Sequence, residues 1–188
     1  MQLTLTFAAL ALATASSVSA FNIHFYNKCP YDIWAAVGKA PNGQPDNSVR
    51  FSAFVGANGG TADYGVDDHQ IGIRAWGRTG CNGNGDNCQT GACNSVNGLC
   101  SDAGITSGVI LSEYGYGNFG NYGGDRIAWD LSRVDANVNI PTGIFATDGQ
   151  SVYCADNGCD GSQAYNSPTD YAADRNSALG TSFTHQFC

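Results

Sequence analysis

Phe21-Asn22-Ile23-His24-Phe25-Tyr26 alternates apolar and polar side chains. Successive side chains of a strand point to opposite faces, so a period of two marks a strand with one face on a core. The same alternation returns in Val49, Phe51, Ala53 and Val55, in Ile71, Ile73 and Ala75, in Ile127, Trp129 and Leu131, and finally in Phe183, His185 and Phe187. Turn formers lie between these runs: Pro41-Asn42-Gly43, Asn58-Gly59-Gly60, Asn82-Gly83-Asn84-Gly85, Asn97-Gly98 and Gly123-Gly124. Asn and Gly tolerate the positive φ that tight hairpins require. Short strands punctuated in this way predict an all-β, two-sheet sandwich. Helix signals are poor, and Tyr171–Leu179 could supply two turns at most.

Upstream of Phe21, residues 1–20 read as a secretory signal peptide. The apolar stretch from Leu3 to Ala13 is broken only by threonine and is too short to span a bilayer. Small residues follow, with Val18 and Ala20 where a signal peptidase reads, although the first residues carry no Lys or Arg. The expected organisation is a signal peptide over 1–20 and one domain over 21–188, secreted to the extracellular space. No later segment approaches the ~20 apolar residues of a membrane helix, and Asn-x-Ser/Thr is absent.

Sixteen Asp and Glu face eight Lys and Arg, a net charge of −8. That balance argues against nucleic acid or an anionic membrane as partner. Eight cysteines, all downstream of residue 20, are Cys29, Cys81, Cys88, Cys93, Cys100, Cys154, Cys159 and Cys188. An even count in an oxidising compartment reads as a disulfide framework, though eight cysteines allow about 105 pairings. Zinc is the rival reading. The Cys spacings are loose for it and His24, His69 and His185 are scattered, so no metal and no cofactor is expected.

Several spaced motifs then resemble one family in order. Asn27-Lys28-Cys29-Pro30-Tyr31-Asp32-Ile33-Trp34-Ala35-Ala36 resembles the opening of thaumatin-like proteins. Arg74-Ala75-Trp76-Gly77-Arg78-Thr79-Gly80-Cys81 and Cys88-Gln89-Thr90-Gly91-Ala92-Cys93 resemble two of their inner segments. Ser112-Glu113-Tyr114 and the run from Trp129 to Pro141 continue the match. The resemblance implies a β-sandwich with an acidic cleft, and the pairings Cys29–Cys188, Cys81–Cys88, Cys93–Cys100 and Cys154–Cys159. Between Pro141 and Cys188 too few residues and cysteines remain for the disulfide-rich helical domain of larger plant members. The chain resembles the small type, and one cleft wall is expected to be low or missing.

The candidate site follows from strand parity and from the family. Parity puts Arg74 beside Trp76, opposite Ile73 and Ala75, and turns Asp130 away from Trp129 and Leu131. The resemblance places Arg74, Glu113, Asp130 and Asp135 in one cleft. A fifth carboxylate is not evident, since Gln163 stands at its position, with Asp160, Asp170 and Asp174 as substitutes. Clustered carboxylates suit glycoside hydrolysis, which needs one protonated acid and one ionised partner. Glu113 is the candidate acid, Asp130 or Asp135 the base or nucleophile, and Arg74 the group that orients them. The same carboxylates suit sugar binding without turnover, with Tyr114, Tyr116, Phe119 and Tyr122 as aromatic platforms. On residue types alone, a surface network of charges is the blander reading. Trp34, Trp76 and Trp129 read as core aromatics, His185 as inward-facing, and His69 as solvated beside Asp67 and Asp68.

The function expected is a carbohydrate-directed protein that binds, and weakly hydrolyses, a β-1,3-glucan of fungal-type walls, in defence or wall remodelling. It is expected to act as a monomer. The alternative is a non-catalytic protein-interaction module, an inhibitor or effector.

Overall fold

The computed structural model describes residues 20–188, apart from the side chain of Tyr122. The expected signal peptide, Ala20 excepted, lies outside the described residues. The strands are β1 (Ala20–Asn27), β2 (Ile33–Lys39), β3 (Asp46–Val55), β4 (Gly60–Asp67), β5 (Ile73–Arg78), β6 (Ser95–Val96) and β7 (Leu99–Cys100). They continue with β8 (Leu111–Asn118), β9 (Asp125–Ser132), β10 (Thr142–Ala146), β11 (Ser151–Cys154), β12 (Arg175–Ala178) and β13 (Phe183–Phe187). A five-stranded sheet runs β11-β10-β13-β1-β4 and a six-stranded sheet runs β12-β9-β8-β5-β2-β3, with β6-β7 as a separate hairpin.

The expected sandwich is what forms. Phe21, Ile23 and Phe25 of β1 and Phe183 and Phe187 of β13 turn inward from one sheet. Ile33, Ala35 and Val37 of β2, Ile73 and Ala75 of β5, and Ile127, Trp129 and Leu131 of β9 meet them from the other. His185 is buried in this core, where Ser112 Oγ lies 2.7 Å from its Nδ1. First and last strands lie side by side, β1 pairing parallel with β13.

The turns follow the residue chemistry. Asn58-Gly59 joins β3 to β4 and Asn97-Gly98 joins β6 to β7, with positive φ at both residues of each pair. Tyr171–Leu179 departs from expectation. A single 3-10 turn over Tyr171–Ala173 gives way to β12, which pairs antiparallel with β9. Sheet pairing outweighs the weak helical preference of so short a segment. Ile71 also falls outside its expected strand and is exposed.

All eight cysteines pair as the family resemblance implies: Cys29–Cys188, Cys81–Cys88, Cys93–Cys100 and Cys154–Cys159. Oxidised sulfur is no thiolate ligand, which removes the zinc reading of these residues. Two of the bonds staple the long connection between β5 and β8. That connection folds back over the outer face of the six-stranded sheet. There Ala36, Trp76, Cys100 and Val109 form a second, smaller core. The covering leaves two open areas on the face, one around Arg74 and one around Trp34.

Candidate functional site

Strand register sets three charged residues in a row across the outer face. Arg74 of β5 is the partner of Glu113 on β8, and Glu113 is the partner of Asp130 on β9. Directly opposed residues on neighbouring strands have Cβ atoms about 5 Å apart, so each charge feels the next. Arg74 Nε donates to Glu113 Oε1 at 3.1 Å in a half-buried ion pair. Asp130 has no such partner. It reaches the cleft, but its Oδ1 is sealed from solvent without a hydrogen bond. Loss of solvation, then repulsion from Glu113, then from Asp174, push its carboxyl well above the usual carboxylate range.

The row forms the floor of a cleft of about 600 Å³. One wall is the stapled connection, through Gly104, Ile105 and Ser107. Asp102 fixes that wall: its carboxylate accepts from the backbone N–H groups of Asn94 and Gly104 and from Thr106 Oγ1. Asp135 and Ala136, just beyond β9, line the rim. Asp135 adopts φ 53° and forms no hydrogen bond or ion pair among the described residues. The opposite wall comes from Tyr165 and Pro168. Tyr165 is tied to β9 through Tyr165 N–H to Leu131 O at 2.8 Å and Arg133 N–H to Tyr165 O at 2.9 Å. The stretch beyond Pro141 therefore contributes a wall, though one made by a loop rather than a helical domain.

Of the residues singled out in the sequence, Arg74, Glu113, Asp130 and Asp135 lie together in this cleft. Tyr114 does not. It is 2% exposed, packed between the sheets against Phe21 and Phe183, because a strand that turns Glu113 outward must turn Tyr114 inward. Its place as a sugar platform is corrected accordingly. Tyr116 lies at the strand end away from the cleft, where its hydroxyl donates to Asp125 Oδ1 at 2.7 Å and its ring meets His69. Phe119 is exposed beside it.

The candidates for a fifth carboxylate separate cleanly. Gln163 Oε1 accepts from Tyr153 N–H, while Asp160 and Asp170 accept from backbone N–H groups of their own loops. Asp174 alone among them acts on Asp130. It directly precedes β12 and accepts a hydrogen bond from the Tyr165 hydroxyl. Sequence reasoning met Tyr165 only as the end of the Ser162–Tyr165 segment around Gln163 and gave it no role. Its only local signal is an apolar neighbour, Ala164, within a polar loop. Burial and the nearby carboxylate raise its hydroxyl above the ordinary tyrosine value.

The sequence profile described as Thaumatin family matches residues 27–185. The chain is 30% identical over 161 residues to thaumatin-like pathogenesis-related protein 4 of Avena sativa, covering 83% of this chain and 80% of that protein. It is 34% identical over 141 residues to osmotin-like protein OSML15 of Solanum commersonii, covering 73% of this chain and 49% of that one. The chain thus spans about half the length of the latter relative, and 53% of thaumatin-like protein 1 of Arabidopsis thaliana. Among solved structures, the thaumatin-like xylanase inhibitor TLXI superposes with a TM-score of 0.58 at 18% identity, covering 88% of this chain and 98% of that one. At that identity the likeness concerns the fold.

Proposed function

Because this chain belongs to the thaumatin family, we propose that it is a secreted, defence- or wall-related protein whose acidic cleft binds β-1,3-glucan of fungal-type walls and hydrolyses it slowly. The observation that carries the reading is the row Arg74, Glu113, Asp130 on adjacent strands. In it one carboxylate is ion-paired and its neighbour's carboxyl holds its proton more tightly than a free one does. The matched relatives named as pathogenesis-related proteins support the defence role.

The roles differ from those expected of the sequence. Asp130 keeps its proton to higher pH, so Asp130 rather than Glu113 is the general acid for the leaving glycosidic oxygen. Glu113 sits beside Asp130 on the same floor, its direct partner across β8 and β9. It raises the Asp130 pKa and accepts hydrogen bonds from sugar hydroxyls, held in place by Arg74. Asp135 faces the floor from the rim and takes the proton of the water that attacks the anomeric carbon. In the balanced step Asp130 loses one proton to the departing sugar and Asp135 gains one from water.

The test is retention on insoluble β-1,3-glucan, scored beside reducing-sugar release from a soluble one. Asp130→Asn should retain binding and lose release. Glu113→Gln should weaken binding about tenfold, the value of one charge-assisted hydrogen bond. Equal release by wild type and Asp130→Asn would eliminate the catalytic reading. Failure of the wild type to bind any glucan, with capture of a secreted hydrolase instead, would replace it by a protein-interaction role.

A further inference from the structure

The three tryptophans do not share one environment, contrary to the expectation that all belong to the core. Trp76 and Trp129 are buried, and their indole N–H groups donate to Gly91 O at 3.0 Å and to Ser177 Oγ at 2.8 Å. Trp34 is half-buried, and its indole N–H donates to no protein group among the described residues. An indole N–H takes a protein partner when it is buried; that of Trp34 is open to solvent instead. Its ring lines a recess of about 440 Å³ together with Phe54, Asp32, Asn82 and the backbone of Gly80 and Gly83.

Phe54 extends the feature to the surface. It lies on edge strand β3, 52% exposed, with its ring meeting that of Trp34 edge to face at 5.7 Å and 68°. The exposed Phe54 ring gains nothing from folding, and next to Trp34 it adds apolar area to the mouth of the recess, the kind of surface that marks a ligand groove. The Trp34 ring is also clamped from behind. Gly85 packs its backbone against the benzo ring, so close that a Cβ there would lie 2.6 Å from Cε3. Gly85 is itself held inside the Cys81–Cys88 loop by Arg78 Nη1, which donates to its carbonyl at 2.7 Å. The indole is thus fixed before any ligand arrives, and a rigid aromatic loses little entropy on binding.

We infer that the Trp34–Phe54 recess is a second binding site, separate from the acidic cleft, for a neutral pyranose unit of a polysaccharide. A pyranose has an apolar C–H face and a hydroxyl rim. The C–H face suits the negative face of an aromatic ring. The hydroxyls suit an open indole N–H, the Asp32 carboxylate and the Asn82 amide at the edge. The two rings touch each other, leaving no slot between them for a cation, so an ammonium group fits less well than a flat sugar face. Trp34 and Arg74 lie on the same sheet face, four residues apart along the strand direction, since Trp34 is the partner of Arg78 and Gly38 of Arg74. Strand geometry puts their Cα atoms about 14 Å apart. One polymer chain can span both sites and a monosaccharide cannot, so the recess adds avidity toward polymers.

The experiment follows the three indole N–H signals in a nitrogen–proton correlation spectrum, with Trp34 assigned through Trp34→Phe. The probes are β-1,3-gluco-oligosaccharide, β-1,4-xylo-oligosaccharide and tetramethylammonium. The expected result is a shift of the Trp34 signal with a sugar probe while Trp76 and Trp129 stay still. Phe54→Ser, on an exposed side chain, should weaken that response threefold to tenfold, and with sugar probes of two units, too short to reach both sites, Glu113→Gln should leave it unchanged. No response to either sugar, a response to the cation alone, or an unaltered titration in Phe54→Ser overturns the inference. A Trp34 response in a protein whose retention on insoluble glucan is indifferent to Glu113→Gln supports the recess and removes the cleft reading. Retention that depends on Glu113 beside a silent Trp34 does the reverse.

Discussion

Asp130 and His185 each place a titratable group where only one of its forms is comfortable. Asp130 binds its proton more tightly in the fold than in the unfolded chain, because burial and Glu113 both oppose its charge. Stability therefore falls as pH rises from the unfolded carboxylate value through the folded one, and stays low above it. Asp130→Asn, which carries no charge, should be more stable than wild type at neutral pH by about 1 kcal/mol or more, with the gap closing in acid. Urea unfolding at both pH values measures this. His185 has the opposite sign. Burial pushes its ring down to about 3, with Ser112 the hydrogen-bond partner of Nδ1 and Nε2 unpartnered. Below an unfolded pKa of about 6.5 the unfolded chain takes up the proton and the fold refuses it. Wild type should lose up to about 1.4 kcal/mol per pH unit from this group between there and the folded value. His185→Phe, among Phe25 and Phe187, should remove that part of the slope. Since Asp130 pulls the other way over the same window, the readout is the difference between variant and wild type at each pH.

At the scale of elements, the stapled connection from β5 to β8 depends on one buried cation. Arg78, 1% exposed at the end of β5, donates Nη1 to Gly85 O and Nη2 to Ser52 Oγ of β3, joining loop and sheet. Burial lowers its guanidinium to about 10, against the pull of Asp86. Arg78→Met keeps the stem and loses both hydrogen bonds. Backbone amides of residues 82–88 should then exchange faster, with about 2 kcal/mol less protection, while the β1 and β13 amides keep theirs. Which elements could be read from sequence follows from how each is covered. β1, β9 and β13 have one covered face and alternate plainly. The middle of β2 lies under the stapled connection as well as over the core, so Ala35–Gly38 is buried on both faces and shows no alternation. The short strands β10, β11 and β12 hold too few residues for any period to emerge. At the cleft, Arg74, Glu113 and Asp130 were legible because parity and family motif agree. The inward turn of Tyr114 and the outward turn of Trp34 were implied by the same parity, applied to Glu113 and to Ile33 and Ala35. Asp174 was legible only as one of three candidates beside Asp160 and Asp170, since its closeness to Asp130 depends on β12 pairing with β9 across the sheet.

At the scale of the whole molecule, the disulfides divide stability from binding. Cys29–Cys188 spans 159 residues and secures the parallel pair β1 and β13 at the heart of the five-stranded sheet. Loop-closure entropy gives it about 5 kcal/mol, against about 2.5 kcal/mol for a bond that spans seven residues, such as Cys93–Cys100. Against a total stability of about 5–15 kcal/mol, the long bond is a large share. Yet the cleft lies on the other sheet, and none of its lining residues belongs to β1 or β13. Cys93–Cys100 instead braces the connection whose Gly104–Ser107 segment forms a cleft wall. The double variant Cys29→Ala/Cys188→Ala should therefore show a much lower urea midpoint. Its folded fraction, assayed in the cold, should keep wild-type retention on insoluble glucan. Cys93→Ala/Cys100→Ala should lose less stability and more retention, because a loosened wall must be ordered again each time a ligand binds. Equal ranking of the two variants in both assays would mean that the bonds act on the fold as a whole, and that the cleft wall holds its shape without its staple.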